Sequence, residues 1–261
     1  MRCGSGGKDD GKTNSEAVTG PILAKFAAHV KWLHPSNCDY SRQQVESGQS
    51  SGGEGQAAMK SVLLLLCEGV EWFEAAAFHD VLGWSGEHGS EPVQVTTVGL
   101  KREVTCTFGT RVMPDALLPE IEAEKFDALA IPGGFESFGF YGEAYSEPVA
   151  RLIRRFGELN KPVASICVGA LPIANAGLLT GRRATTYHLL GGKRRKQLAT
   201  FGAEVVDQPV VREGTIITST SPATAVEVAL CLLAELTGAE NAARIRHLMG
   251  FSAVQEDTGD D

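Results

Sequence analysis

The chain has 261 residues, enough for one large α/β domain or two small ones. Its 43% hydrophobic content supports a substantial core, and no run reaches the ~18 apolar residues that a membrane-spanning helix requires. A formal net charge of −8 argues against a protein that binds nucleic acid through its phosphates.

Residues 1–58 differ in composition from the rest of the chain. They are rich in Gly, Ser, Asn and Gln, with one stretch, Ile22 to Leu33, that could form an amphipathic helix. They carry as many acidic as basic residues, unlike a transit peptide, and no apolar segment with a cleavage site marks a secretory signal. The composition predicts a disordered N-terminal extension, dispensable for chemistry, on a cytoplasmic protein, with organelle targeting by that extension left open. Residues 251–261 read as an acidic tail, which leaves 59–250 as the folded domain.

From Lys60 onward, strand and helix patterns alternate. Val62 to Cys67 is a continuous apolar run of the kind that forms a buried parallel strand. Glu71 to Leu82 has helical spacing, Val93 to Val98 alternates like a strand, and Asp127 to Ile131 is a second buried run ending in Pro132-Gly133-Gly134. A helix over Glu147 to Leu159 precedes the strand Pro162 to Ile166. Further strands are expected at Arg183 to Thr186, Glu204 to Val206 and Thr215 to Thr218, with a helix around Arg194 to Phe201. Pro222 opens a helix running to Leu236, and a last helix covers Ala239 to Leu248. This alternation predicts an α/β domain with a mainly parallel sheet covered by helices on both faces.

Ligands of open α/β sheets bind outside the carboxyl ends of the strands, so residues at those ends are the site candidates. Ile166-Cys167-Val168-Gly169 joins a strand directly to the helix starting at Ala170, the layout of a nucleophile elbow. Small neighbours, Ser165 and Gly169, suit the strained corner, and a helix N-terminus beneath a thiolate would lower the Cys167 pKa. Glu71 and Glu74 follow the first strand one helical turn apart, and Gly133 and Gly134 follow the strand 127–131. Each has an ordinary reading on its own: first-turn charges, a tight turn, a core cysteine. Their co-occurrence at three strand ends is what points to a site. The basic run Lys193-Arg194-Arg195-Lys196 reads as a solvated helix face. The six cysteines form no C-x-x-C pair, and the histidines have no zinc-type spacing to them, so neither a disulfide framework nor a metal site is predicted.

The segments Glu68 to Glu74, Ile131 to Gly134, Ala164 to Gly169, Ala184 to His188 and Thr218 to Ala225 resemble the ThiJ/PfpI superfamily over about residues 60–238. The likeness is greatest to the branch containing the parkinsonism-associated protein deglycase. That resemblance implies a flavodoxin-like sandwich of the class I glutamine amidotransferase-like kind, without cofactor or metal, commonly a homodimer. It implies Cys167 as nucleophile, Glu74 as the buried acid beside it, Glu71 as a neighbouring carboxylate, and an oxyanion pocket from the N–H groups of Gly134 and Val168, with Gly133 adjoining. The family places a histidine directly after the Thr-Thr pair. Here Tyr187 stands at that position and His188 comes next, so either His188 fills the role or Tyr187 replaces it. The implied activity is that of a glyoxalase or deglycase acting on small aldehydes such as methylglyoxal, or on glycated protein. Alternatives are a redox sensor or chaperone with an oxidisable Cys167, or a hydrolytic relative such as an isonitrile hydratase. The hydrolytic branches fit less well: Val168 stands where the protease-like branch has histidine, and no late His-x-Glu pair is present.

Overall fold

The computed structural model describes residues 59–251. The extension 1–58, with its candidate helix from Ile22 to Leu33, and the tail beyond 251 lie outside the described residues.

Strand β1 (Lys60–Leu66) is followed by α1 (Trp72–His88) and β2 (Val93–Gly99). A short antiparallel ladder, β3 (Val104–Thr105) with β4 (Arg111–Val112), leads to β5 (Ala116–Leu117). Next come β6 (Ala128–Ile131), α2 (Phe140–Ala144), α3 (Glu147–Glu158) and β7 (Val163–Ser165). Helix α4 (Ala170–Asn175) precedes β8 (Arg183–Ala184), α5 (Lys193–Thr200) and β9 (Glu204–Val205). The last elements are β10 (Val210–Glu213), β11 (Ile216–Ser219), α6 (Ala225–Thr237) and α7 (Ala239–Leu248).

Seven strands form one sheet in the order β10-β11-β7-β6-β1-β2-β5. All neighbours in it are parallel except β10 and β11. Val62 to Leu66 are all buried, and successive strand residues point to opposite faces, so both faces of β1 are covered. Burying each such side chain contributes roughly 1.5–3 kcal/mol, which makes β1 the anchor of the core. Helices α1, α6 and α7 pack on one another and on β1, β2, β7 and β11, while α3 packs against β6, β7 and α4.

Strand order reverses beside β1. The chain builds outward through β2 and β5 on one side, then crosses to β6, β7 and β11 on the other. Such a switch leaves a crevice at the carboxyl ends of the central strands. Three of the expected site segments leave the sheet there, from the ends of β1, β6 and β7.

One strand expectation needs correction, and the expected strands do not include β10 or the two-residue strands β3, β4 and β5. The run from Arg183 to Thr186 is extended only over Arg183–Ala184 and pairs with β9 outside the main sheet. Beyond it the Thr185 N–H donates to the side-chain hydroxyl of Thr218 in β11 at 3.0 Å instead of to a backbone carbonyl of a strand ladder. The antiparallel strand β10 is absent from the sequence-based expectation, because Val210-Val211-Arg212-Glu213 has too few apolar residues to read as buried. Pro222 opens a single 3₁₀ turn, Pro222–Thr224, from which α6 continues.

Candidate active site

Cys167 sits at the corner between β7 and α4 with φ of +55°, in the left-handed region that costs an L-residue roughly 1–2 kcal/mol. Two contacts hold it there. The Ile166 N–H donates to the Ile131 carbonyl at 3.2 Å, and the Thr186 hydroxyl donates to the Cys167 carbonyl at 2.8 Å. Gly169 is the required small neighbour, since a Cβ there would overlap the Ile131 carbonyl oxygen. The cysteine is 7% exposed, buried yet reachable.

The loops after β1 and β6 are zipped together. The Glu71 N–H donates to the Gly133 carbonyl at 2.9 Å, the Phe135 N–H donates to the Gly69 carbonyl at 3.1 Å, and Val70 faces Gly134 between them. This pairing puts the first turn of α1 against the end of β6. Glu71 is the N-cap residue, half-buried, and Glu74 one turn later is completely buried. Glu74 Oε2 accepts the Gly133 N–H at 2.6 Å. A Cβ on Gly133 would meet that oxygen at 2.9 Å and the Val168 nitrogen at 3.0 Å, so only glycine lets the three segments meet.

The electrostatics follow from this burial. Desolvation, then the charge of Glu71, pushes the Glu74 carboxyl up to about 8, against the opposing hydrogen bond from Gly133. Burial likewise raises Glu71. The Cys167 thiol is held well above its ordinary value, first by burial and then by the neighbouring Glu74 carboxylate. The Val168 N–H acts in the opposite direction on the sulfur but does not prevail. Burial and the Glu74 carboxylate therefore oppose the thiolate that a helix N-terminus would favour. Helix α4 has only six residues and begins after a 3₁₀ turn, too short a dipole to offset desolvation. Cys167 and Glu74 instead form one buried proton-sharing pair. Glu74 Oε1 is buried without a conventional hydrogen-bond partner, which leaves the Glu74 carboxyl to interact with the Cys167 sulfur.

The glycines lie at this pair, and Tyr187 and His188 follow Thr186, which is hydrogen-bonded to Cys167. Gly133 does not contribute its N–H to an oxyanion pocket, because Glu74 takes it. Among the described residues, no carbonyl or carboxylate accepts from the N–H of Gly134 or Val168. The Gly134 N–H stays available as an oxyanion donor, whereas the Val168 N–H points at the Cys167 sulfur and could serve only once that sulfur carries an adduct. Tyr187 and His188 are half-buried, with ring centroids 6.5 Å apart. His188 Nδ1 is buried without a hydrogen-bond partner. Thr186, which fixes the Cys167 carbonyl, is visible in the sequence only as part of the Thr-Thr pair. The basic run is also more than a solvated face. The Arg194 side chain is 15% exposed and its guanidinium lies 4.8 Å from the Tyr141 ring centroid. No group of His, Cys, Asp and Glu suited to a metal occurs among the described residues.

Residues 60–235 match the DJ-1/PfpI family. The chain belongs to that family. Drosophila melanogaster dj-1beta is 33% identical over 183 residues, covering 69% of this chain and 91% of that protein. A Caenorhabditis elegans DJ-1/PfpI relative named glutathione-independent glyoxalase DJR-1.2 is 30% identical over 186 residues, 70% of this chain and 92% of its own length. Bacillus subtilis YraA, named as a candidate cysteine protease, is 34% identical over 121 residues, 46% of this chain and 68% of its own. The crystal structure of Drosophila DJ-1beta superposes with a TM-score of 0.65 at 30% identity, covering 73% of this chain and 97% of that one. That of oxidized Toxoplasma gondii DJ-1 gives 0.61 at 25% identity over 73% and 97%. DJ-1/PfpI membership carries the α/β sandwich fold and a link to enzymes as a class. No helix among the described residues is long and apolar enough to cross a membrane.

Proposed function

We propose that this protein is a cofactor-independent, cysteine-dependent glyoxalase acting on 2-oxoaldehydes such as methylglyoxal, with protein deglycation as the related reaction. The observation that carries the reading is the buried Cys167–Glu74 pair, with Glu74 pushed up to about 8 and held by Gly133. A carboxyl in that range moves protons at neutral pH.

In this reading the Cys167 sulfur adds to the aldehyde carbon of methylglyoxal. The carbon–sulfur bond forms, the C=O π pair moves to oxygen, and the proton of the Cys167–Glu74 pair neutralises it. The N–H groups of Gly134 and Val168 hold that oxygen as charge develops. Glu74, assisted by His188, then carries the proton of the former aldehyde carbon to the keto oxygen, giving an enediol. It carries the proton of the first hydroxyl to the adjacent carbon as that oxygen becomes the thioester carbonyl. The product is a thioester, and water releases lactate and restores Cys167. His188 rather than Tyr187 is assigned the assisting role, because its unpartnered buried nitrogen can accept and return a proton. The relative named as a glyoxalase supports the assignment. The apolar Val168 beside Gly133 argues against the histidine-assisted protease chemistry of the hydrolytic branch.

The reading includes a cytoplasmic homodimer with a role in protection against oxidative stress. It also assigns the activity to residues 59–250, and a chain started at Met59 that loses turnover refutes that assignment. Methylglyoxal consumption by Glu74→Gln and His188→Ala tests the roles. A fall of 10²-fold or more is expected for Glu74→Gln, and 10-fold or more for His188→Ala. Wild-type rates in Glu74→Gln would overturn the mechanism.

Redox sensing at Cys167 is a second reading, favoured by the relationship to a DJ-1 solved in oxidized form. Mass spectrometry after mild peroxide checks it. If Cys167 is not oxidised ahead of the buried thiols Cys67 and Cys106, sensing fails.

A further inference from the structure

Segment 135–145 and the start of α5 form a polar and aromatic wall beside the pair that the proposed reaction leaves unused. Phe140 packs directly on Gly134, and its ring meets Tyr141 at 5.3 Å between centroids. Tyr141 stacks on Tyr145 at 5.0 Å and 25°. Arg194 lies on Tyr141 at 4.8 Å, donates to Glu136 Oε2 at 2.7 Å and to Gln197 Oε1 at 3.0 Å, and Gln197 donates to the Tyr145 hydroxyl at 2.7 Å. The Tyr145 hydroxyl is thus satisfied and the Arg194 charge is matched.

The Tyr141 hydroxyl is the exception. It is buried and has no hydrogen-bond partner. A buried, unmade hydrogen bond costs roughly 1–3 kcal/mol, and here the ring is fixed so that the phenol cannot turn away to find one. The phenol also lies within electrostatic reach of Cys167. A rigid, orphaned donor on the aromatic wall that packs against Gly134 is what a substrate oxygen would complete.

We propose that Tyr141 is a substrate-contacting residue that donates a hydrogen bond to the second oxygen of a 2-oxoaldehyde, and so selects such substrates over simple aldehydes. The inference rests on the glyoxalase reading and deepens it. In the addition step the first oxygen goes to the N–H groups of Gly134 and Val168. The keto oxygen on the adjacent carbon then needs its own donor, most of all when proton transfer makes it enolic. Tyr141 supplies that donor, with Arg194 and Tyr145 as positioning residues. A monofunctional aldehyde has no atom for it.

The test is protection of Cys167 from iodoacetamide, which reads aldehyde binding at the sulfur whether or not turnover occurs. Methylglyoxal and propanal are titrated against the wild type, Tyr141→Phe and Arg194→Gln. In Tyr141→Phe the half-protecting concentration of methylglyoxal is expected to rise about tenfold or more, while that of propanal is unchanged. Arg194→Gln is expected to move methylglyoxal in the same direction by less. Removing an orphaned hydroxyl should leave the melting temperature unchanged or raised, which excludes misfolding. An unchanged methylglyoxal titration in Tyr141→Phe overturns the inference, and so does an equal rise for both aldehydes, which would mean a merely structural role. Absence of lactate from the wild type would overturn the glyoxalase reading alone, because the selective loss of protection is measured independently of it.

Discussion

At the scale of single residues, the chemistry turns on a proton shared between two buried groups. Cys167 and Glu74 are both raised by burial, so at neutral pH both hold their protons and the thiol must give its own up within the site to become the nucleophile. The rate of Cys167 alkylation by iodoacetamide is therefore expected to keep climbing above the pH range of an ordinary thiol, and the climb should move to lower pH in Glu74→Gln, where the raising carboxylate is gone. A rate already at its plateau at pH 6 would show a pre-formed thiolate and contradict the coupling. Glu74 also gives folding a pH dependence of definite sign. Its folded pKa lies above its unfolded one, so the folded state binds the extra proton between about 4.5 and 8, and stability falls as pH rises through that window. The slope is at most ~1.4 kcal/mol per pH unit for one proton, measurable by urea unfolding of wild type against Glu74→Gln. Gly133 is the other decisive residue. Gly133→Ala would put a methyl group within 2.9 Å of Glu74 Oε2 and 3.0 Å of the Val168 nitrogen, and activity is expected to fall at least tenfold. A wild-type rate in that variant, measured as methylglyoxal consumption, would show that the three loops need not meet so closely.

At the scale of elements, the site is a joint between strand ends. The left-handed Cys167 corner is tied to the loop after β8 by the Thr186 hydroxyl, so the strain of the elbow is borne partly by an element far along the chain. Thr186→Val removes that bond and leaves a buried carbonyl unmet, with an expected loss of about 1–3 kcal/mol in denaturant unfolding. Stability unchanged from wild type would mean that the corner is held by β6 and β7 alone. This scale also divides what the sequence reveals from what it conceals. The buried runs at 62–67 and 127–131, the elbow at Cys167 and the paired Glu71 and Glu74 are legible because local pattern and chemistry coincide there. The use of Gly133 N–H by Glu74 is not legible, since it depends on two loops 59 residues apart meeting at 2.6 Å. The direction of the Cys167 shift is hidden for a related reason. A helix N-terminus is visible in sequence, whereas the desolvation that outweighs a six-residue helix exists only after folding. Tyr141 and Arg194 escape a sequence reading because neither belongs to a motif, and Arg194 sits in a basic run that reads as solvent-facing.

At the scale of the whole molecule, the reversal of strand order beside β1 sets where chemistry can occur, and the family relationship agrees with that sheet. The first turn of α1 does two things at once. It turns Glu74 inward and leaves Phe73 59% exposed beside a partly exposed Trp72. Two exposed aromatic side chains at the start of the helix that carries Glu74 would suit the proposed homodimer interface. Phe73→Glu is expected to shift the protein to monomer in light scattering at micromolar concentration, whereas an unchanged mass would remove α1 from the interface. The central claim, that Cys167 is the nucleophile of a glyoxalase, has a more direct test. Lactate formed from methylglyoxal is measured for the wild type and for Cys167→Ser, with the fold of each checked by its melting curve. Lactate is expected from the wild type, with a fall of 10³-fold or more in Cys167→Ser. Lactate production by a folded Cys167→Ser at the wild-type rate would contradict the claim.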